Sequence, residues 1–92
     1  MSDKRLINKV IVISGGTKGV GRAAAEIFAQ KGAKVVIGGR DKAAASSILK
    51  MINIYESEGM FIHTDLENVE DCKWLFSEAV ACYGRIDGFI NY

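Results

Sequence analysis

The sequence predicts a three-layer α/β fold in which a parallel sheet of strand order 3-2-1-4 carries helices on both faces. Three observations predict it. Short β-branched runs are continuously apolar rather than alternating, helical stripes lie between them, and the two alternate along all 92 residues. No proline, low-complexity stretch or linker interrupts the pattern, so residues 1–92 read as one domain.

Lys9 to Ser14 (KVIVIS) and Lys34 to Gly39 (KVVIGG) are the first two strands, each bounded by glycine. Gly19 to Lys31 is the helix between them, with Ala23, Ala24, Ile27 and Phe28 at helical spacing and Gly32 placed for a left-handed stop. Strand, helix and strand in about thirty residues make a βαβ unit, whose crossover is expected to be right-handed. Asp41 can cap a second helix with a stripe of Ala45, Ile48, Leu49, Ile52 and Tyr55, which Gly59 ends. Met60 to Thr64 is the third strand. A third helix starts at Asn68, with Asp71 as a variant capping box. Its inward stripe is Cys72, Leu75, Phe76, Ala79, Val80 and Tyr83, with Trp74 off it, and Gly84 stops it. Ile86 to Tyr92 opens a fourth strand, inside which the sequence stops.

Apolar residues are 49% of the chain and charged residues 25%, the balance of an ordinary globular protein. A net charge of +1 with Lys and Arg scattered singly gives no basic face for nucleic acid. MSDKRLINK lacks an apolar leader core and no run spans a bilayer, so no membrane partner and a cytoplasmic location are expected. Cys72 and Cys82 point in different directions on one helix, so both read as reduced, with Cys72 in the core. No metal-binding constellation is present, and His63, without a second histidine, reads as hydrogen-bonded or solvated.

The chemistry lies in VIVISGGTKGVGRAA, residues 10–24, where a buried strand ends in glycines and a helix starts at once. Backbone N–H groups and the helix dipole there favour a phosphate. Gly15 permits the tight turn, Gly19 lets a pyrophosphate approach the backbone, and Gly21 lets the helix pack on the first strand. A plain turn needs one glycine, and this one has four. A Walker A loop is excluded, because Gly16 to Ala23 (GTKGVGRA) lacks its lysine and its magnesium-binding hydroxyl. The dinucleotide pattern G-x-G-x-x-[GA] is met by Gly19, Gly21 and Ala24 inside a βαβ unit, which makes the fold Rossmann-like.

Ser14-Gly15-Gly16-Thr17-Lys18-Gly19-Val20-Gly21 resembles the T-G-x-x-x-G-x-G motif of the short-chain dehydrogenases/reductases, with serine for the leading threonine. Gly38-Gly39-Arg40 looks like that family's second-strand end and Thr64-Asp65-Leu66 like its adenine-side aspartate. Gly84 to Asn91 (GRIDGFIN) looks like the run into its Asn-Asn-Ala-Gly motif. The resemblance covers the whole chain but only the family's N-terminal half. It implies hydride transfer between a nicotinamide and an alcohol or carbonyl, with Gly15, Thr17, Lys18, Val20 and Arg40 on phosphates and ribose and Asp65 with Leu66 at the adenine. Asn91 matches one of the family's two asparagines, and Tyr92 stands where the cofactor-contacting one would be.

An NAD-binding unit places a carboxylate about 20 residues past the glycines, but here Gly39 occupies that position. An acid there would repel a 2′-phosphate, whereas Arg40 and Lys18 can bind one, so NADP(H) is favoured over NAD(H). The resemblance implies the same. Asp41 is the one acid that could swing toward the ribose.

Carbonyl reduction also needs a proton donor, in the resembled family the tyrosine of Tyr-x-x-x-Lys. Tyr55 is followed four residues on by Gly59 and Tyr83 by Asp87, so neither fits, and no catalytic residue is assigned. The expectation is a cofactor-binding half without its catalytic half, inactive alone and self-associating through the exposed fourth-strand edge. The alternatives are a non-enzymatic nucleotide-binding or interaction module, or a poorly ordered remnant.

Overall fold

The computed structural model describes residues 5–15 and 19–91. Four parallel strands, β1 (Val10–Ser14), β2 (Lys34–Gly39), β3 (Gly59–His63) and β4 (Gly88–Asn91), form one sheet in the order β3-β2-β1-β4. Helices α1 (Val20–Gln30), α2 (Lys42–Ile54) and α3 (Val69–Tyr83) make the connections. This is the architecture expected from the sequence.

The unbroken apolar runs of β1 and β2 are explained by their central position, buried on both faces. Alternate residues feed two cores. Ile11, Ile13, Val35 and Ile37 meet Ala25, Ala29, Ile48 and Ile52 of α1 and α2, while Val10, Val12 and Val36 meet Leu75 and Ala79 of α3 on the other face. At Gly38 the α3 face is tight: an added Cβ would stand 2.6 Å from Leu75 Cδ2 and 3.2 Å from Thr64 Oγ1, so any side chain there would have to displace buried Leu75. Among the described residues, no helix is long and apolar enough to cross a membrane.

The α1 stripe is rotated from the sequence expectation. Gly21, Ala25 and Ala29 are its buried line, whereas Ala23 is exposed and Ile27 is 50% exposed. The smallest residues face the sheet because they allow the helix axis to approach it. On α2 the expected stripe holds, with Ala45, Ile48 and Ile52 buried and Leu49 and Tyr55 packed beside them. Gly59 does not end this helix. The chain leaves it through Tyr55 and a left-handed Glu56 (φ 62°), and Gly59 is the first residue of β3.

On α3, Leu75 and Ala79 are buried and Phe76 and Tyr83 half-buried, but Cys72 and Val80 are not core. Cys72 is half-buried, its thiol 3.7 Å from the Leu66 carbonyl, and Val80 is exposed. Asn68 caps α3 by accepting from the N–H groups of Glu70 and Asp71. The capping-box role of Asp71 is not realised, because its carboxylate accepts the Asp65 N–H instead, at 2.9 Å. Gly84 ends the helix in the left-handed region (φ 79°). β4 spans four residues instead of starting at Ile86, and Tyr92, expected to continue it, lies outside the described residues.

Asp87 ties β4 to β1 before their ladder begins. Its Oδ2 accepts the Val10 N–H at 2.8 Å, its own N–H donates to the Val10 carbonyl at 2.8 Å, and the Arg85 guanidinium grips both carboxylate oxygens. The Arg85 hydrogen bonds first, then that of Val10, hold the Asp87 carboxyl below its usual value. A depressed folded value means that stabilisation is complete above the unfolded carboxyl range, near pH ~4, and is lost as pH falls through the folded value. Asp87→Asn is therefore expected to lower the thermal midpoint near neutrality by a few degrees. The gap to the unmodified chain should close in acid, read by circular dichroism melts across that window.

Candidate functional site

All four strands run in one direction, so Ser14, Gly39, His63 and Asn91 lie together at one edge of the sheet. β1 is the strand at which the order turns: the chain builds outward through β2 and β3, then returns to place β4 on the other side. Ligands of open α/β sheets bind at the carboxyl ends of strands beside such a point.

Immediately after β1, Gly15 adopts φ 73° while its N–H reaches the Gly38 carbonyl at 2.8 Å, so the chain turns away only after one further rung of the ladder. Thr17 and Lys18 lie outside the described residues. The chain re-emerges at Gly19 with φ 54° and ψ −117°, a conformation that side-chain-bearing residues avoid. A Cβ on Gly19 would meet nothing within 4 Å, so the constraint there is backbone shape rather than crowding.

Gly19 opens α1, and the three helix starts differ. Asp41 caps α2 by accepting the Ala44 N–H at 3.0 Å, and Asn68 caps α3, which also carries Glu70 and Asp71 in its first turn. Helix α1 begins on a residue with no side chain and has no acid in its first turn. Its positive dipole end faces the sheet edge where Gly15, Gly39 and Asn91 converge, with exposed Val20 at the rim and buried Gly21 against the sheet. The uncrowded Gly19 backbone and a helix start without an acidic side chain fit a dinucleotide's phosphates.

On one side of this point, Asn91 accepts a hydrogen bond on Oδ1 from Ser14 Oγ at 2.8 Å, and Ser14 is 2% exposed. That bond pins the carboxyl end of β4 to β1. Ser14 is a site residue that sequence reasoning missed, since only the register Ser14↔Asn91 reveals it.

On the other side, Gly39 is buried and Arg40 exposed at the end of β2. The Asp41 carboxylate that could have turned toward a ribose is engaged as the α2 cap. Beyond β3, Asp65 is half-buried and Leu66 exposed in a tight turn. Asp65 Oδ1 accepts the Glu67 N–H at 3.0 Å, its carbonyl accepts from Asn68, and its N–H goes to Asp71. The structure thus gathers Gly15, Gly19, Val20, Gly21, Gly39, Arg40, Asp65, Leu66 and Asn91 along one sheet edge.

The described tyrosines are elsewhere. Tyr55 follows α2, its hydroxyl 2.9 Å from Glu26 Oε2 and 3.1 Å from Gln30 Nε2 between the helices. Tyr83 packs under Lys34, whose ammonium lies 5.2 Å from the ring centre at the amino end of β2. Burial first, and then Glu58, push its phenol above the usual value, opposite to what proton donation at a carbonyl requires.

Comparison with known proteins agrees with this geometry. The short chain dehydrogenase family model matches residues 9–92. An uncharacterised oxidoreductase of Listeria monocytogenes is 39% identical over 85 residues, covering 91% of this chain and 34% of that protein. A 3beta-hydroxysteroid dehydrogenase of Mediterraneibacter gnavus is 32% identical over 87 residues, covering 95% of this chain and 32% of its own. Among solved structures, a putative short chain dehydrogenase from Escherichia coli superposes with a TM-score of 0.85 at 28% identity, over 96% of this chain and 40% of that one. A Serratia marcescens short-chain dehydrogenase/reductase mutant shares the fold with a TM-score of 0.88 at 22% identity, over 92% of this chain and 35% of its own. The chain spans about a third of the length of the curated relatives it matches.

Proposed function

Because the chain belongs to the short-chain dehydrogenase family, we propose that it is the NADP(H)-binding portion of an oxidoreductase that moves hydride between a nicotinamide and an alcohol or carbonyl. The observation that carries the coenzyme choice is the end of β2. Gly39 offers no carboxylate to a ribose, Arg40 beside it is exposed, and the nearest acid, Asp41, is engaged as the α2 cap. A 2′-phosphate there meets a guanidinium, and no carboxylate stands at position 39 to oppose it. Lys18 adds a second positive charge within the same glycine loop of the sequence.

When bound, the nicotinamide supplies or accepts the hydride; the residues of this chain hold the dinucleotide. The Gly15 turn and the start of α1 receive the pyrophosphate, Arg40 the 2′-phosphate, and Asp65 with Leu66 the adenine. The Ser14–Asn91 bond fixes the strand end on the nicotinamide side. Tyr55 and Tyr83 are committed away from the strand ends, so this chain alone binds without turnover, and catalysis belongs to a further segment of the fold.

Titration of the purified chain with NADPH and NADH tests the reading. NADPH is expected to bind about tenfold more tightly, the scale of one charge-assisted contact at an accessible site. Equal affinity would remove the coenzyme choice, and no saturation with either nucleotide would remove the binding function.

Self-association belongs to the same proposal. β4 pairs only with β1 among the described strands. Phe89 on it is 47% exposed and stacks edge-on against Phe76, with ring centres 4.9 Å apart, beside exposed Val80. An apolar free edge invites pairing with a second copy. Sedimentation is expected to show concentration-dependent dimers, and Phe89→Lys to shift the chain to monomer. A monomeric unmodified chain would contradict this.

A further inference from the structure

The register of β2 and β3 places one more side chain at the coenzyme edge, and its residue type suits an anion. Gly39 pairs with His63, and the Thr64 N–H closes the ladder on the Gly39 carbonyl at 2.8 Å. Partners in register on parallel strands project to the same face. That face is set by the residues two positions earlier, since Ile37 and Phe61 pair with each other and pack in the core under α1 and α2. Ile62 and Thr64 lie on the opposite face, where Ile62 joins the α3 core and Thr64 Oγ1 approaches Gly38.

His63 therefore stands on the α1 and α2 face one strand spacing, about 4.8 Å, from a position that has no side chain. It is exposed, unlike the core residues that precede it on that face. An NAD-type unit would fill the space over position 39 with the carboxylate that holds the ribose. Here glycine puts no side chain beside His63, and exposed Arg40 follows that glycine in the chain. Both can donate hydrogen bonds and neither is acceptor-only. In the sequence His63 has no second histidine and reads as hydrogen-bonded or solvated; the register supplies the neighbour.

We propose that His63 is a binding residue for the 2′-phosphate, acting from β3 beside the position that Gly39 leaves without a side chain and together with exposed Arg40 at the end of β2. The inference rests on the NADP(H) reading and extends it to a residue on a different strand.

The test is titration of NADPH and NADH against the chain and its His63→Ala, His63→Arg and Arg40→Ala variants. Melting curves without nucleotide confirm that the exposed substitutions leave the fold intact. His63→Ala is expected to weaken NADPH about three- to tenfold and leave NADH unchanged, while His63→Arg, which keeps a hydrogen-bond donor, retains NADPH binding. Equal weakening of both nucleotides would place His63 on the shared adenosine and overturn the proposal. So would loss of NADPH affinity in His63→Arg matching that in His63→Ala. An unchanged His63→Ala, with Arg40→Ala still weakening NADPH, would remove His63 and leave the coenzyme reading standing. If the unmodified chain has no preference for NADPH, the coenzyme reading itself fails.

Discussion

Arg40→Glu is expected to weaken NADPH binding about hundredfold while leaving NADH nearly unchanged, because it removes an attraction and adds a repulsion at the same atoms. The guanidinium donates in a fork that fits a phosphate, and its loss alone accounts for about a factor of ten. A carboxylate in its place confronts the 2′-phosphate directly, and like charges at an interface cost enough to supply the second factor. Arg40 is exposed at the end of β2 and is in neither hydrophobic core, so folding should be unaffected. NADH, with a hydroxyl in place of the phosphate, loses neither contact. Parallel titrations of the two nucleotides check the prediction, and an equal fall for both would show that Arg40 does not read the 2′ position.

Ile37→Ala carries the largest expected effect on stability. Ile37 is 0% exposed on a central strand and belongs to the core between the sheet and α1 and α2. Its partners there are Ile13 beside it and helix residues that cannot collapse inward without moving the backbone. Truncation of a buried isoleucine costs about 2–5 kcal/mol through lost transfer energy and the cavity left behind. A chain of 92 residues has a total stability of only about 5–14 kcal/mol. Denaturant unfolding is expected to show the midpoint falling by a third or more. A small change would mean that the core under α2 is loosely packed.

How far the sequence could be read depended on what each feature encodes. The sheet order followed from the glycine-bounded apolar runs and from the two central strands being apolar throughout, because burial on both faces leaves no polar face to alternate. Helix phase was less legible. On α1, Ala23, Ala24 and Ala25 are indistinguishable by hydrophobicity, and the structure chooses the line through Gly21, Ala25 and Ala29 because close approach to the sheet selects small volume over large apolar area. On α3, Val80 and Cys72 keep the inward spacing but are not buried: Val80 is exposed, and Cys72 in the first turn lies against the Leu66 carbonyl of the preceding turn instead of in the core. Asp71 has the spacing of a capping box, yet the Asp65 N–H competes for its carboxylate and wins.

The candidate site divides in the same way. Gly15, Gly19, Gly21, Gly39 and Arg40 were legible because a phosphate turn and a ribose position impose residue types at fixed spacing along the chain. Ser14 with Asn91, and Gly39 with His63, were not, because each pair is joined by strand register. The hydrophobic pattern helps to set register, but which residue stands opposite which appears only once the two strands are paired.

The central claim is that the carboxyl edge of the sheet holds the dinucleotide, and amide chemical-shift mapping during an NADPH titration tests it most directly. The largest shifts are predicted at Gly15, Val20, Gly39, Arg40, Asp65 and Asn91, while Lys9, Lys34, Gly59 and Gly88 at the amino ends of the strands stay still. Shifts concentrated at those amino ends, or none at either edge at saturating nucleotide, would contradict the account.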